Sequence, residues 1–325
     1  MDLILNFFEG TDHDSLLKRV DFRNISGALS VDMGIVPFFK PATLAILFGI
    51  FRLHSHLYPK EKRKCRPSSF KSSDTDVNRY VQRVNFFESC PDFKSLGEEK
   101  FSRYDPSGRF VPITVVNSLE NTDSAAEKIV KVIFSQTKVS GEAEVKYALT
   151  ELMDNALQHA QSPIGCVVQT QLYTNNFVEG IILDCGMGIR KHLSGNRVIA
   201  SQITSDEKAI EKALQPYISG THNRPKNEEK TRYDGLHNAG LGLSVCSKLM
   251  SLSGGFLQIV SGESSIKVTS SGIQKMQIAG WPGTLIAFSI NYQKLAEIPD
   301  IIKEFDILKT TGHNLEKGSK GPEFV

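Results

Sequence analysis

The 325-residue sequence has few cysteines and no marked excess of charge of either sign. Its five cysteines are scattered, odd in number and without C-x-x-C spacing, which argues against a disulfide framework and against a zinc site. The formal net charge is only +2, so charge alone does not indicate a nucleic-acid partner. We find no internal repeat and no low-complexity run, which argues against a solenoid or a disordered chain.

Long apolar runs are also missing. The longest such stretch, residues 34–57, is interrupted by Pro37, Lys40, Pro41 and Arg52. It therefore falls short of the roughly 20 apolar residues that a membrane-spanning helix needs. The first residues lack the basic region of a secretory signal. Together these features predict a cytoplasmic protein with no membrane partner.

The first polar constellation lies on a predicted helix over residues 142–159. Glu151, Asn155 and His159 recur every four residues and therefore line one side of that helix, whose flank is apolar. A carboxylate can orient or deprotonate an attacking group, and an amide oxygen can bind a hard cation such as Mg²⁺. The same stretch also fits an amphipathic helix whose polar side meets water, and taken alone it leaves both interpretations open.

A second constellation follows an apolar, β-branched run at residues 178–183, which predicts a buried strand. Asp184 ends this run, and Gly186 and Gly188 follow at alternate positions before Ile189. Glycine lets the backbone approach a ligand closely, and an aspartate at a strand end can accept a hydrogen bond from an exocyclic amine.

A glycine-rich loop and a Gly-Thr pair complete the set of motifs. The loop opens an apolar helix pattern at residues 244–252, and free N–H groups at a helix start favour phosphate. A Gly-Thr pair precedes an alternating strand at residues 285–290. These residues are Gly240, Leu241, Gly242 and Leu243 in the loop and Gly283 and Thr284 in the pair.

In this order the four motifs resemble those of the GHKL superfamily of ATP-binding domains. Glu151 and Asn155 are similar to its N box, residues 184–188 to its G1 box, residues 240–243 to its G2 box, and residues 283–284 to its G3 position. The motifs span roughly half of the chain. Each is weak alone, because such turns and helix starts are common, but their ordered combination is specific.

The resemblance implies ATP and Mg²⁺ as cofactors. Glu151 would act as general base or orient the attacking group, Asn155 would bind Mg²⁺, and Asp184 would accept a hydrogen bond from the adenine amino group. Arg224 or Lys226 would reach the γ-phosphate, although solvated loop charges explain these residues equally well. The other residues implied to contact the nucleotide are His159, Gly186, Gly188, Ile189, Gly240, Leu241, Gly242, Leu243 and Thr284.

The predicted fold class is α/β, as an α+β sandwich in two parts. Residues 1–110 would form a small α/β module, with a strand at residues 20–22 and a helix from Pro41 to about His56, and they faintly resemble STAS-like modules. Residues 111–325 would form the ATP-binding domain, a Bergerat-type mixed sheet with helices on one face. Its lid would cover about residues 190–239, with His192 on the lid surface. Residues 261–280 would form a hairpin or a partner surface.

Three activities fit these motifs. The first is a Mg²⁺-dependent ATPase that acts as a nucleotide-driven regulator of a protein partner. The second is a protein serine/threonine kinase of the anti-sigma-factor type, which the His-Ala end of the N box resembles. The third is a nucleotide-binding interaction module with little turnover. We see no heptad-patterned segment before Glu142, which argues against an autophosphorylating sensor, and homodimers are a tendency of the superfamily.

Overall fold

In the computed structural model, the described residues are 3–6, 12–25, 29–32, 39–59, 75–87, 105–138, 141–216, 218 and 242–297. Within these ranges the chain forms eight α-helices and seven strands. The helices are α1 (His13–Arg19), α2 (Pro41–Leu57), α3 (Thr75–Arg83), α4 (Thr122–Phe134), α5 (Glu142–Gln158), α6 (Gly188–Ser194), α7 (Asp206–Ala213) and α8 (Gly242–Leu252). The strands are β1 (Leu3–Asn6), β2 (Leu29–Asp32), β3 (Phe110–Val116), β4 (Cys166–Leu172), β5 (Phe177–Leu183), β6 (Phe256–Thr269) and β7 (Gly272–Asn291).

The central sheet has five strands in the order β3-β4-β5-β7-β6, and every neighbouring pair is antiparallel. The α+β class is therefore confirmed, but the prediction of a mixed sheet was wrong. Short turns join β4 to β5 and β6 to β7, and a tight turn can join only antiparallel strands, so two of the four pairs are fixed by their connections. The helix predicted at residues 142–159 is confirmed within one residue.

One face of the sheet packs against the helices that follow β3. Inward-facing residues alternate along each strand, so Cys166 and Val168 face these helices while Val167 faces the other way. Helix α5 contributes Val145, Leu149 and further apolar residues at helical spacing to this inner core. The remaining helical contributions come from α4, α6, α7 and α8.

The opposite face of the sheet is covered by helices from the first hundred residues. Helix α2 is buried on nearly every side, and Gly49 brings it against Leu183 of β5. Phe48 and Phe51 meet Phe86 edge to face in the same outer core. The sheet thus has helices on both faces, whereas the sequence predicted a partner for one face only. No helix in the described ranges is both long enough and apolar enough to cross a membrane.

The hairpin of β6 and β7 bends sharply near Gly262, which has a φ of +61°. Because of the bend, Gln258 donates a hydrogen bond to the hydroxyl of Ser265 on the same strand, at 3.0 Å. Beyond the bend, Lys275 forms an ion pair with Glu207 of α7 at 3.0 Å. The hairpin predicted for residues 261–280 is therefore confirmed.

The predicted strand at residues 20–22 is wrong. In the described structure this segment forms only a single bridge, between Asp21 and Gly280 of β7. The run is too short to form a ladder, and turn residues follow it. The separate two-stranded ribbon of β1 and β2 is parallel. The STAS-like resemblance of residues 1–110 stays a prediction.

Substitution of Gly180 tests the packing of the inner core. This glycine of β5 pairs with Phe288 of β7, and the Phe288 ring occupies the space that a Cβ atom would need. We expect Gly180→Ala to lower the free energy of unfolding by about 1–3 kcal/mol, the usual cost of overpacking a core. Urea unfolding measures it, with the exposed Gly195→Ala as control. Equal stability of Gly180→Ala and wild type would contradict the packing described.

Candidate functional site

A single cleft opens between α5, α6, the start of α8 and the ends of β5 and β7. It has a volume of about 940 Å³, counting the space at its mouth. Apolar side chains such as Leu152, Ile182 and Ile286 form much of its wall. Nine residues that the sequence predicted as site residues meet in this wall: Glu151, Asn155, His159, Asp184, Gly188, Ile189, Gly242, Leu243 and Thr284.

Of the other predicted site residues, only Gly186 belongs to the described part of the chain, and it does not line the cleft. Arg224, Lys226, Gly240 and Leu241 lie outside the described residues. Gly186 packs against the end of α5 instead, where a Cβ atom would overlap the carbonyl oxygen of Ala160. Glycine is therefore needed here for contact between two parts of the chain.

Helix α5 brings Glu151, Asn155 and His159 to the cleft from one side of its surface. Glu151 is half-buried, Asn155 is exposed, and His159 caps the C-terminus of the helix. The start of α8 lies directly against Glu151, since a Cβ atom on Gly242 would come within 2.8 Å of the Cβ atom of Glu151. This close approach brings the base of the Glu151 side chain against the N-terminal end of α8.

Asp184 is the buried acid of the cleft, with only 2% of its surface exposed. It follows β5 directly, and its Oδ1 accepts a hydrogen bond from the N–H of Gly186 at 2.8 Å. Burial raises the pKa of Asp184 from 3.8 to about 7, while backbone N–H groups of Gly186 and Thr284 oppose that rise. Near neutral pH this carboxyl group can therefore either accept or donate a hydrogen bond.

Ser261 of β6 joins two glycine motifs and was missed in the sequence. Its hydroxyl accepts a hydrogen bond from the N–H of Ile189 at 3.0 Å and donates one to the carbonyl of Gly283 at 2.9 Å. Gly283 has a φ of +102°, and a Cβ atom there would collide with Asp184. No sequence signal marks Ser261, because its position depends on the bend of the hairpin.

His192 lines the cleft, whereas the sequence placed it on the surface of a lid. Its ring lies 4.6 Å from that of His159, at an interplanar angle of 30°. His192 follows Gly188 by four residues on α6, so both face the same side of that helix. This spacing is the sequence signal that could have identified it.

Whether the cleft could hold Mg²⁺ depends on the side-chain atoms that it offers as metal ligands. The described residues contain no group of three or more His, Cys, Asp or Glu side chains with metal-binding geometry. Mg²⁺ commonly binds through one or two protein oxygens together with substrate phosphates. The amide oxygen of Asn155, exposed at the cleft, fits that mode, and a metal cage made of protein ligands alone does not fit.

No protein-family model matches the sequence, and no curated protein matches it. The resemblance to GHKL domains therefore rests on the sequence motifs and stays a prediction.

The raised pKa of Asp184 predicts how stability changes with pH. Between 3.8 and about 7 the folded chain keeps a proton that the unfolded chain has lost. The contribution of Asp184 to the free energy of unfolding therefore falls as the pH rises through this range, by at most about 1.4 kcal/mol per pH unit. This contribution stays constant above the pKa of Asp184 in the folded chain. Urea unfolding of wild type and Asp184→Asn across this range measures the contribution as the difference between the two chains.

That difference, wild type minus variant, should decline up to about pH 7 and then stay level. Other titrating groups cancel because both chains carry them. A difference that is constant with pH would contradict the raised pKa.

Proposed function

We propose that the chain binds ATP with Mg²⁺ in this cleft and hydrolyses it, as a nucleotide-driven regulator of a protein partner. The observation that carries the proposal is the meeting of four motif segments, far apart in the sequence, around one cleft. We further propose that residues 111–325 form a GHKL-type domain with a Bergerat fold. The layer of α4, α5 and α8 on one face of the sheet supports this assignment, whereas the antiparallel strands and the helices on the other face depart from the expected arrangement.

The adenine would lie at the inner end of the cleft. Asp184 is the buried polar group there, and it stands among apolar side chains that can contact both faces of a purine ring. An ionised Asp184 would accept a hydrogen bond from the 6-amino group, which guanine lacks. Thr284, beside Asp184 in the wall, would supply a hydroxyl at the same end.

The phosphates would lie near the start of α8. The N-terminus of a helix favours anions because its N–H groups are free and its dipole is positive there. Gly242 begins this helix and lines the cleft. Asn155 would hold the magnesium ion through its amide oxygen. When bound, Mg²⁺ would neutralise charge on the phosphates.

Glu151 is the residue we assign to proton transfer. This half-buried residue lines the cleft, and its Cβ atom packs against Gly242 at the start of α8, close to the expected phosphate position. From there it can orient a water molecule and accept its proton as the water attacks phosphorus. Glu151 and Asn155 are one helical turn apart on α5, so the proton acceptor and the metal ligand act from the same side of one helix.

Glu151→Gln tests this role, because it keeps the size of the side chain and removes the base. We expect the rate of phosphate release from ATP to fall by about 100-fold or more, as for loss of a general base, while ATP affinity changes little. The assay uses ATP labelled at the γ-phosphate, with and without Mg²⁺. Glu142→Gln, at the exposed start of the same helix, is the matched control and should keep wild-type turnover.

The same assay, repeated in lysate of the source cell, separates the alternatives. Label that moves to a second protein, and is lost with Glu151→Gln, would identify a protein kinase. Binding of ATP without phosphate release would identify an interaction module. If the wild-type chain binds no ATP, the proposed function is wrong.

A further inference from the structure

The only tryptophan of the chain lies behind the cleft and contacts the backbone of its central acid. Trp281 of β7 is 1% exposed, and its indole N–H donates a hydrogen bond to the carbonyl oxygen of Asp184 at 3.2 Å. Trp281 belongs to the outer core, on the face of the sheet that the N-terminal helices cover. The contact therefore joins the outer core to the residue that we assign to adenine.

Trp281 is itself held by the N-terminal part of the chain. The ring of Phe22, also 1% exposed, meets the indole edge to face with centroids 5.7 Å apart. The N–H of Phe22 donates to the carbonyl of Gly280 at 2.9 Å. Arg23 adds a hydrogen bond to the carbonyl of Ala279 at 3.2 Å and an ion pair with Glu263 at 2.9 Å.

The backbone around this contact has little freedom to adjust. Gly280 has a φ of +154°, and the side chains of Asp21 and Arg23 fill the space beside it. Two residues after Trp281, Gly283 is pressed against Asp184 in the same manner. A shift of the indole would therefore move the backbone carbonyl of Asp184, and its carboxyl group with it, relative to the cleft.

We propose that Trp281, supported by Phe22, is a positioning residue that sets the orientation of Asp184 toward the 6-amino group of adenine. This inference rests on the proposed function. It adds that residues 21–23, far from the cleft in sequence, contribute to the choice of nucleotide. Trp281 acts only through Asp184 and lies outside the cleft wall.

Two ligands separate positioning from general packing. ATP carries the 6-amino group, and purine riboside triphosphate lacks it but is otherwise the same. The ratio of their affinities measures the interaction at the amino group alone. Calorimetric titration of the full chain gives both affinities, with Asp184→Ala as the reference for a lost interaction, because an asparagine oxygen could still accept a hydrogen bond from the amino group.

Trp281→Phe removes the N–H donor and keeps an aromatic ring. We expect its affinity for ATP to fall by about fivefold, the net value of one hydrogen bond, while its affinity for the analogue stays near that of wild type. Phe22→Leu should reduce the same ratio to a smaller degree. Phe48→Leu, equally buried in the outer core but remote from Trp281 in the contacts described, is the matched control and should keep the wild-type ratio.

If Trp281→Phe changes the affinity for ATP and for the analogue by the same factor, the ratio of the two affinities stays that of wild type. This result would overturn the inference and leave the proposed function standing. Failure of the wild-type chain to bind either ligand would overturn both. If Trp281→Phe does not fold, Phe22→Leu decides, because it retains the indole. If the ratio of ATP affinity to analogue affinity in Phe22→Leu equals that in Phe48→Leu, the inference is overturned. If the ratio is lower than in Phe48→Leu, the inference is supported.

Discussion

The burial of one carboxyl group, that of Asp184, is the constraint on which the site depends. Removing a carboxylate from water is costly, so the chain must either keep it protonated or surround it with hydrogen-bond donors. The structure does both in part: the pKa is raised to about 7, and the N–H of Gly186 donates to Oδ1. A ligand with an amino group would complete this partial solution, which is why we propose the cleft as a binding site.

Two layers of the fold converge on that acid. The inner helices α5, α6 and α8 form the open wall of the cleft, and the outer core supports its back through Trp281. Ser261 joins the two glycine motifs on either side of it. Because these contacts come from β5, β6 and β7 together, the geometry of the site depends on the register of the whole sheet. The positions of the cleft residues are therefore set partly by packing that lies away from the cleft.

The sequence predicted the elements whose signal is local. Periodicity located α5, the apolar run at residues 178–183 located β5, and Asp184 could be placed because it ends that buried strand. Strand direction was not predicted, because β4 and β5 are buried on both faces along most of their length and read as the apolar runs that are also typical of parallel strands. The cover of the outer face by α2, the contact of Trp281 with Asp184, and the role of Ser261 all depend on chain segments far apart in sequence. Local patterns carry no information about such contacts.

Photolabelling with 8-azido-ATP, followed by mapping of the labelled peptides, tests the central claim most directly. We expect saturable labelling that an excess of unmodified ATP prevents. The label should fall on peptides that line the cleft near Asp184, from residues 182–193 or 284–286, and Asp184→Asn should greatly reduce it. Labelling that does not saturate, or that maps to peptides away from the cleft, would contradict the assignment of this cleft as an ATP site.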